Sequence, residues 1–169
     1  MLAVIIILGI LLIGVDQLVK YWAVTSLAEK GSIDFLHIGD FDIMYLTYVE
    51  NDGAIFGSMS GQRWFLIGIP LLIIAAGIVI LAKMHKRSKL LNTSIFLFIT
   101  GGIGNLIDRI YHGYVVDMFD IQLFKFAVFN VADIYVTFAM VLLVIYGIFI
   151  DPKIEKSKKL SENAGSDNE

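Results

Sequence analysis

The chain has 169 residues, a formal net charge of −3 and 57% hydrophobic residues, with a mean hydropathy of +0.78. This length fits one domain, and this apolar content lies outside the range of soluble globular proteins. The sequence contains no cysteine, which excludes disulfides, thiolate metal sites and cysteine nucleophiles.

Four apolar runs follow one another, each about as long as the 17–25 residues that a helix needs to cross a bilayer. They are 1–15, which extends towards Tyr21, then 64–82, 90–107 and 130–150. The first run has no basic segment before it and no small-residue cleavage site after it, so we interpret it as a retained helix rather than a secretory signal. We therefore expect an all-α membrane protein with four transmembrane helices over residues 1–150.

Lysine and arginine side chains cluster in the link between spans two and three and again after span four. The members are Lys83, Lys86, Arg87, Lys89, Lys153, Lys156, Lys158 and Lys159. The positive-inside rule places both segments, and with them both termini, in the cytoplasm. The loops of residues 22–63 and 108–129 are then expected on the outer face. Residues 151–169 are charged and poor in apolar side chains, which predicts a disordered cytoplasmic tail.

The first span ends in Asp16-Gln17-Leu18-Val19-Lys20. Asp16 and Lys20 are four residues apart and share a helix face, with the acid before the base. Taken alone, this spacing favours an ion pair at the membrane interface, with Lys20 extending to the headgroups.

Residues 26–60 have the composition of a small β-rich insertion. The segments 35–38 and 41–49 are rich in β-branched and aromatic residues, and Gly39-Asp40 between them is a turn signal. We expect a sheet that forms a cradle on the outer membrane surface, with several aromatic side chains at the interface. These are Phe35, Phe41, Tyr45, Tyr48 and Phe56. In a second turn at 51–53, Asp52 is interpreted as a turn residue, whereas Asn51 is either a turn former or a ligand contact.

Span two contains Gly68-Ile69-Pro70 and no ionisable residue, which is typical of a scaffold helix. Span three ends in residues 101–109, GGIGNLIDR, where the glycines allow close helix approach and Asn105 can hydrogen-bond between helices. Arg109, at the outer end of this span, is either a membrane anchor or a cation that tunes nearby acids. The sequence leaves both roles open.

Two acids, Asp117 and Asp133, lie near the ends of the segment that leads into span four. A carboxylate just inside an apolar span is costly, so Asp133 indicates a functional site. A second carboxylate a short loop away predicts a pair that shares a proton and does acid and base work together. The alternative role of Asp133 is helix capping, because Asn130 is a strong N-cap and an acid three residues later suits the helix dipole. Residues 113–129 alternate loosely between apolar and polar side chains and are expected to add extended backbone to the outer layer.

The three histidines, His37, His85 and His112, have no metal-ligand spacing, and the serines in turns have no dyad partner nearby in sequence. We therefore expect no metal, no cofactor and no nucleic-acid partner.

Five blocks in this order resemble the lipoprotein signal peptidase family, also called signal peptidase II. They are 16–20 (DQLVK), 51–56 (NDGAIF), 101–109 (GGIGNLIDR), 115–117 (VVD) and 129–133 (FNVAD). The resemblance implies an aspartic protease of the bacterial inner membrane that cleaves prolipoproteins on the N-terminal side of a diacylglyceryl-modified cysteine. It implies Asp117 and Asp133 as the catalytic pair. It implies substrate-binding or supporting roles for Asp16, Lys20, Asn51, Gly53, Phe56, Asn105, Arg109, Asn130 and Ala132.

The implied partners are the signal peptides of modified prolipoproteins, membrane lipids and globomycin-type peptide inhibitors, with the enzyme acting as a monomer. One alternative is a small proton-coupled transporter, which predicts acids near the membrane midplane and internal repeat symmetry. Another is a structural or assembly protein, which explains capping and ion pairs but not the five blocks together.

Overall fold

Long apolar helices and a small sheet make up the computed structural model, which describes residues 2–53 and 62–156. In chain order the elements are α1 (Leu2–Leu27), β1 (Ser32–Ile38), β2 (Phe41–Asn51), α2 (Arg63–Met84), α3 (Lys89–Tyr111), β3 (Val115–Ile121) and α4 (Val131–Ile145). A π-helical turn, Tyr146–Ile150, continues α4.

Four helices are long and apolar enough to cross a membrane: Ala3–Leu27, Arg63–Met84, Lys89–Tyr111 and Val131–Lys156. Their surfaces expose large apolar side chains such as Leu18 and Leu72. Such faces are stable in lipid, where a helix satisfies its own backbone hydrogen bonds. The predicted four-span architecture is confirmed.

The third helix, α3, packs against each of the other three. Two of its glycines lie close to α4 and α1. A Cβ atom at Gly101 would lie 2.5 Å from the carbonyl oxygen of Ala132, and one at Gly104 would lie 2.7 Å from Oδ2 of Asp16. The close helix approach predicted for this glycine-rich segment is therefore present, and it lets backbone and polar groups meet between helices.

The sheet is antiparallel in the order β1-β2-β3. Ile38 pairs with Phe41 across the tight turn that contains Gly39, whose φ of +60° suits glycine. The third strand comes from the segment after Gly113, as predicted, and Asp117 on it pairs with Val49. A small apolar core of Ala23, Leu27, Leu46, Val116 and Met118 fixes the sheet to the end of α1. The sheet thus lies at the end of the bundle where α2 begins, α3 ends and α4 begins.

The last helix differs from its predicted bounds. A disordered tail is predicted from residue 151, whereas the structure is helical through Lys156. Arg87, from the link between α2 and α3, pairs with Asp151 and Glu155 and donates to the hydroxyl of Tyr146. Arg87 therefore holds the acidic residues that follow the apolar run in place. A hydropathy profile does not show such a contact between distant segments. Residues 157–169 lie outside the described part of the chain.

Candidate active site

Asp117 is the third residue of β3 and is 2% exposed. Its Oδ2 accepts a hydrogen bond of 2.9 Å from Nδ2 of Asn51, and its Oδ1 accepts one of 2.6 Å from Nδ2 of Asn130. Burial raises the pKa of Asp117 to about 6, against the lowering effect of the two amide donors. This acid therefore keeps its proton to a higher pH than an ordinary aspartate.

Asp133 lies in the first turn of α4 and forms a capping box with Asn130. Its backbone N–H donates to Oδ1 of Asn130 at 3.0 Å, and its Oδ2 accepts from the backbone N–H of Asn130 at 3.2 Å. The other oxygen, Oδ1, accepts a 2.7 Å bond from Nδ2 of Asn105. The capping role predicted as an alternative is thus present, and the same carboxylate also contacts α3.

Asn130 connects the surroundings of the two acids and is fully buried. Its Nδ2 donates to Asp117 at 2.6 Å and to Oδ1 of Asn105 at 3.0 Å. Its Oδ1 accepts from the backbone N–H of Asp133, and its own backbone N–H donates to Oδ2 of Asp133. Asn130 therefore contacts both carboxylates, that of Asp117 through its side chain and that of Asp133 through its backbone N–H. The remaining hydrogen-bonding groups of its side chain are satisfied by Asn105 and by the backbone N–H of Asp133.

Lys20 lies at the centre of a buried charge cluster beside the acids and is 3% exposed. Its Nζ is 2.9 Å from Oδ2 of Asp16, 2.9 Å from Oδ2 of Asp108 and 2.9 Å from Oδ1 of Asn105. The predicted ion pair between Asp16 and Lys20 is present. Its predicted position at the membrane interface, with Lys20 extending to the headgroups, is wrong, because both side chains are buried. The face of α1 that carries Lys20 packs against α3, where a second carboxylate and an amide oxygen receive the ammonium group.

The two carboxylates of this cluster hold backbone groups next to the acids. Oδ1 of Asp16 accepts a 2.8 Å bond from the N–H of Ala132, and Oδ2 of Asp108 accepts a 3.2 Å bond from the N–H of Val116. Ala132 directly precedes Asp133, and Val116 directly precedes Asp117. Ala132 therefore contacts this cluster through its backbone N–H.

Two residues of this network were not singled out from the sequence. Asp108 is one, and Gln17 is the other, with its Nε2 donating to Oδ1 of Asp108 at 3.0 Å and to the carbonyl of Gly104 at 3.2 Å. Helical spacing offered a signal, because Asp108 follows Asn105 by three residues and so shares its face of α3.

A cavity of about 590 Å³ opens beside the two acids. Its polar lining includes Asn51, Asn105, Arg109, Asp117 and Asp133, and the remaining lining is mainly apolar. The other lining residues are Val115, Ile121, Phe126, Ala127, Val128, Phe129, Ile134, Val136 and Thr137. The arrangement joins two carboxylates, amide donors and one guanidinium in a pocket with apolar walls.

Arg109 belongs to the wall of this cavity. Its Nη2 donates to the carbonyl of Gly53 at 3.1 Å, and among the described residues its buried Nε has no hydrogen-bond partner. Gly53 in turn donates its N–H to Oδ1 of Asn51 at 3.1 Å, which closes the turn at the end of β2. The sequence left Arg109 as either a membrane anchor or a cation near the acids, and its position in the cavity wall agrees with the second role.

Phe56, implied as a substrate contact, lies in residues 54–61, outside the described part of the chain. Within residues 2–53 and 62–156, no group of three or more histidine or acidic side chains has an arrangement that could hold a metal ion.

The family model described as signal peptidase (SPase) II matches residues 8–149. The chain belongs to the signal peptidase II family. The match covers every described residue of the site and confirms the resemblance drawn from the five sequence blocks. Membership makes the protein a multi-pass membrane protein of a peptidase family.

Relatives within the signal peptidase II family align over most of their length. The chain is 41% identical over 146 residues to the lipoprotein signal peptidase of Clostridioides difficile (strain 630), covering 85% of this chain and 94% of that protein. It is 40% identical over 134 residues to the lipoprotein signal peptidase of Streptococcus thermophilus (strain CNRZ 1066), covering 79% and 85% of the two chains.

The fold is also similar to solved structures. One, described as a bacterial membrane enzyme at 2.3 Å resolution, has a TM-score of 0.75 and 29% identity over 85% of this chain and 86% of that chain. Another, with the same description at 1.9 Å, has a TM-score of 0.75 and 28% identity over 88% and 94%. These likenesses support the four-helix architecture with its small sheet.

Proposed function

We propose that this protein is an aspartic endopeptidase that removes the signal peptide from diacylglyceryl-modified prolipoproteins. The cut would lie on the N-terminal side of the lipidated cysteine. The observation that carries the proposal is the convergence of Asp117 and Asp133 on one cavity, oriented by Asn130, in a chain of the signal peptidase II family.

In the proposed mechanism the two carboxyl groups hold one proton between them and bind the attacking water. The ionised member takes a proton from the water as the oxygen adds to the scissile carbonyl carbon. The protonated member gives its proton to the carbonyl oxygen, which completes a tetrahedral gem-diol. The proton taken from the water is then passed to the amide nitrogen as the C–N bond breaks, and one hydroxyl proton of the gem-diol returns to the pair. The pKa of Asp117, raised to about 6 by burial, supports a proton retained in the pair.

The neighbouring polar groups have complementary roles in this proposal. Asn105 donates to Asp133 and Asn51 donates to Asp117, and each would hold its acid in place at the cavity. Arg109 lies in the cavity wall with a side-chain N–H that no described residue accepts. An N–H donor in this wall would hydrogen-bond the scissile carbonyl oxygen and polarise the carbonyl group before the proton is transferred to it. We assign Lys20, Asp16 and the N–H of Ala132 to positioning the acids.

A lipid-modified substrate fits the position of the site at one end of the membrane-spanning bundle. Each buried methylene of an acyl chain contributes about 0.8 kcal/mol to membrane binding, so two chains hold the modified cysteine at the bilayer surface. We place this end of the bundle on the outer face of the bacterial inner membrane, from the distribution of lysine and arginine. Because one chain supplies both acids and their supports, we propose a monomeric enzyme, which globomycin-type peptides would inhibit by occupying the cavity.

The position of the acids favours a peptidase over a proton-coupled transporter. Asp133 is in the first turn of α4 and Asp117 lies in the adjoining sheet, so neither is near the middle of a span. A transport relay would be expected close to the midplane.

The test is a cleavage assay with purified enzyme on one prolipoprotein, prepared with and without the diacylglyceryl group. We expect the unmodified form to be cleaved far more slowly even at saturating concentration, because the lipid helps to place the scissile bond. Equal maximal rates would show that the lipid is not recognised, and the site would then belong to a general membrane-surface peptidase.

A further inference from the structure

The segment of residues 122–129, QLFKFAVF, connects β3 to α4 and is named here the aromatic loop. We propose that the tip of the aromatic loop is immersed in the lipid bilayer beside the cavity, so that lipid covers its exposed phenylalanines. This surface is separate from the polar network, and the inference requires the membrane-spanning helices but not the proposed reaction.

The loop exposes large apolar side chains although its backbone is tied down. Leu123, Phe124 and Phe126 are 59%, 58% and 50% exposed. At its base, Phe119 and Phe129 exchange backbone hydrogen bonds of 2.8 and 3.1 Å. The N–H of Gln122 also donates to the carbonyl of Ile43 at 3.0 Å. A contiguous exposed apolar surface on an anchored backbone is typical of a contact surface.

A chain of ring contacts runs from the tip of the loop to its base. The ring centroids of Phe124 and Phe126 are 5.9 Å apart, and those of Phe126 and Phe129 are 6.0 Å apart. Phe129 in turn contacts Phe119 on β3 at 5.5 Å. The exposed rings are therefore held together as one surface with the base of the loop.

The depth of this surface follows from its connection to α3. Trp64 and Tyr111, 82% and 78% exposed, lie near the start of α2 and at the end of α3. Arg63 brings these two helix ends together, because its Nη2 donates to the carbonyl of Ile110 at 2.7 Å. Exposed Trp and Tyr side chains at the ends of spans mark the membrane–water interface.

The aromatic loop ends on the membrane side of that level. Asn130, the next residue after Phe129, donates to Asn105 on α3. Asn105 precedes Tyr111 by six residues, which at a rise of 1.5 Å per residue is about 9 Å along the helix axis. The ring of Phe126 lies 6.0 Å from that of Phe129, and Phe126 lines the same cavity as Val136 and Thr137 in the second turn of α4. These contacts place the loop beside the first turns of the span.

Lipid is the partner that fits the exposed side chains of the aromatic loop, because this surface continues into the lipid-facing surface of the helix bundle. The loop leads directly into α4, whose exposed Phe138 and Val141 require an acyl-chain environment. Lys125, between two phenylalanines, can extend its ammonium to lipid phosphates while its stem stays apolar. Because Phe126 and Phe129 also line the cavity, lipid would border the cavity mouth. On the proposed function, that gives a lipid-anchored substrate a lateral approach to the acids.

The test measures depth without any substrate and uses the absence of cysteine from the sequence. Single variants Phe124→Cys and Leu123→Cys are labelled with an environment-sensitive fluorophore and reconstituted in vesicles of phosphatidylcholine and phosphatidylglycerol. Quenching by lipids with a doxyl group on the acyl chain is compared with quenching by aqueous iodide. Phe138→Cys, on the exposed face of α4, is the control for lipid, and Glu29→Cys, in the exposed turn after α1, is the control for water.

The expected result is strong doxyl quenching, a blue-shifted emission and little iodide quenching at both loop positions, as for the label at residue 138. Iodide quenching equal to that at residue 29 would overturn the proposal in favour of a water-exposed loop. Shielding from both quenchers would overturn it as well, since the tip would then be covered by protein. Neither readout depends on activity, so a failure of the proposed reaction leaves this test intact.

Discussion

The carboxylate of Asp16 accepts a 2.8 Å hydrogen bond from the N–H of Ala132, which lies 116 residues later in the chain. Asp16 is also paired with Lys20, and Lys20 contacts Asp108, which accepts from the N–H of Val116. One buried lysine therefore forms ion pairs with both carboxylates that hold the residues preceding the two acids. The cluster couples the end of α1 to the geometry of the proposed dyad.

Replacing Lys20 with methionine should destabilise the protein by about 3–5 kcal/mol, because two buried carboxylates then lose their counter-charge. Lys30→Met, at an exposed position, is the matched control and should be close to neutral. Unfolding in detergent, followed by the loss of helical signal, measures both. A near-neutral effect of Lys20→Met would contradict the buried position of the ammonium group.

Asp117→Asn and Asp133→Asn should each nearly abolish cleavage, and the double variant should be little worse than either, because the pair acts as a unit. Both oxygens of Asp117 accept from amide groups, so its variant also faces an amide donor and should lose about 1 kcal/mol of stability. Initial rates on a modified prolipoprotein measure the effect. Asp120→Asn, on the same strand, should keep most of the activity. Substantial turnover by either single variant would remove that acid from the dyad.

The pKa of Asp117 predicts the pH dependence. Since its folded-state pKa is about 6 and the usual value is 3.8, the folded chain holds a proton between these pH values that the unfolded chain has lost. Ionisation of this group therefore lowers stability as pH rises from about 4 to 6. If the pair needs that proton, kcat/KM should decline above about pH 6.

Asn51→Ala should move this decline to higher pH, because the hydrogen bond from Asn51 lowers the pKa of Asp117. Gln122→Ala, which removes an amide that contacts neither acid, should leave the midpoint in place. The pH profile of kcat/KM is the readout, since it is independent of a uniform loss of rate. A shift to lower pH in Asn51→Ala would contradict the assignment.

Gly104→Ala should destabilise the protein by about 1–3 kcal/mol, as overpacking of a close interface does. The added Cβ would lie 2.7 Å from Oδ2 of Asp16 and 3.1 Å from Cβ of Ala132. Gly68→Ala is the control, because its Cβ would meet nothing within 4 Å. Thermal unfolding and cleavage rate should both fall for the first variant and stay near wild type for the second.

Both termini are predicted to face the cytoplasm. A cysteine at Ser32, on the exposed edge strand, should react with an impermeant thiol reagent in intact cells. A cysteine at Ser88, beside the basic link, should react only after permeabilisation. The reverse labelling pattern would overturn the orientation and place the acids on the cytoplasmic side.

Hydropathy and strand propensity were sufficient to predict the four transmembrane helices and the small sheet. The four spans follow from run length, and β1 and β2 follow from β-branched and aromatic residues around Gly39-Asp40. Asp117 and Asp133 stood out because a carboxylate near apolar spans is costly. Each of these signals lies within one short segment, so it can be recognised from the sequence without knowing which segments pack together.

The environment of Lys20 was not predictable in the same way. A pair spaced by four residues identifies a shared helix face but not which neighbour that face packs against. Only the packing of α1 on α3 brings Asp108 and Asn105 to the ammonium group. Likewise, the helix through Lys156 depends on Arg87, which lies in another loop.

The two acids belong to different structural parts of the molecule. Asp117 and its donor Asn51 lie on adjacent strands of the sheet, whereas Asp133 and its donor Asn105 lie on adjacent helices of the bundle. A mechanical load that lifts the sheet would therefore pull the acids apart while each keeps its own amide partner. The polar contacts that join the two parts include those of Asp117 with Asn130, of Val116 with Asp108 and of Gly53 with Arg109. Under the proposed function, catalysis would therefore require the sheet to stay packed on the helices, even where the sheet and the bundle are each still folded.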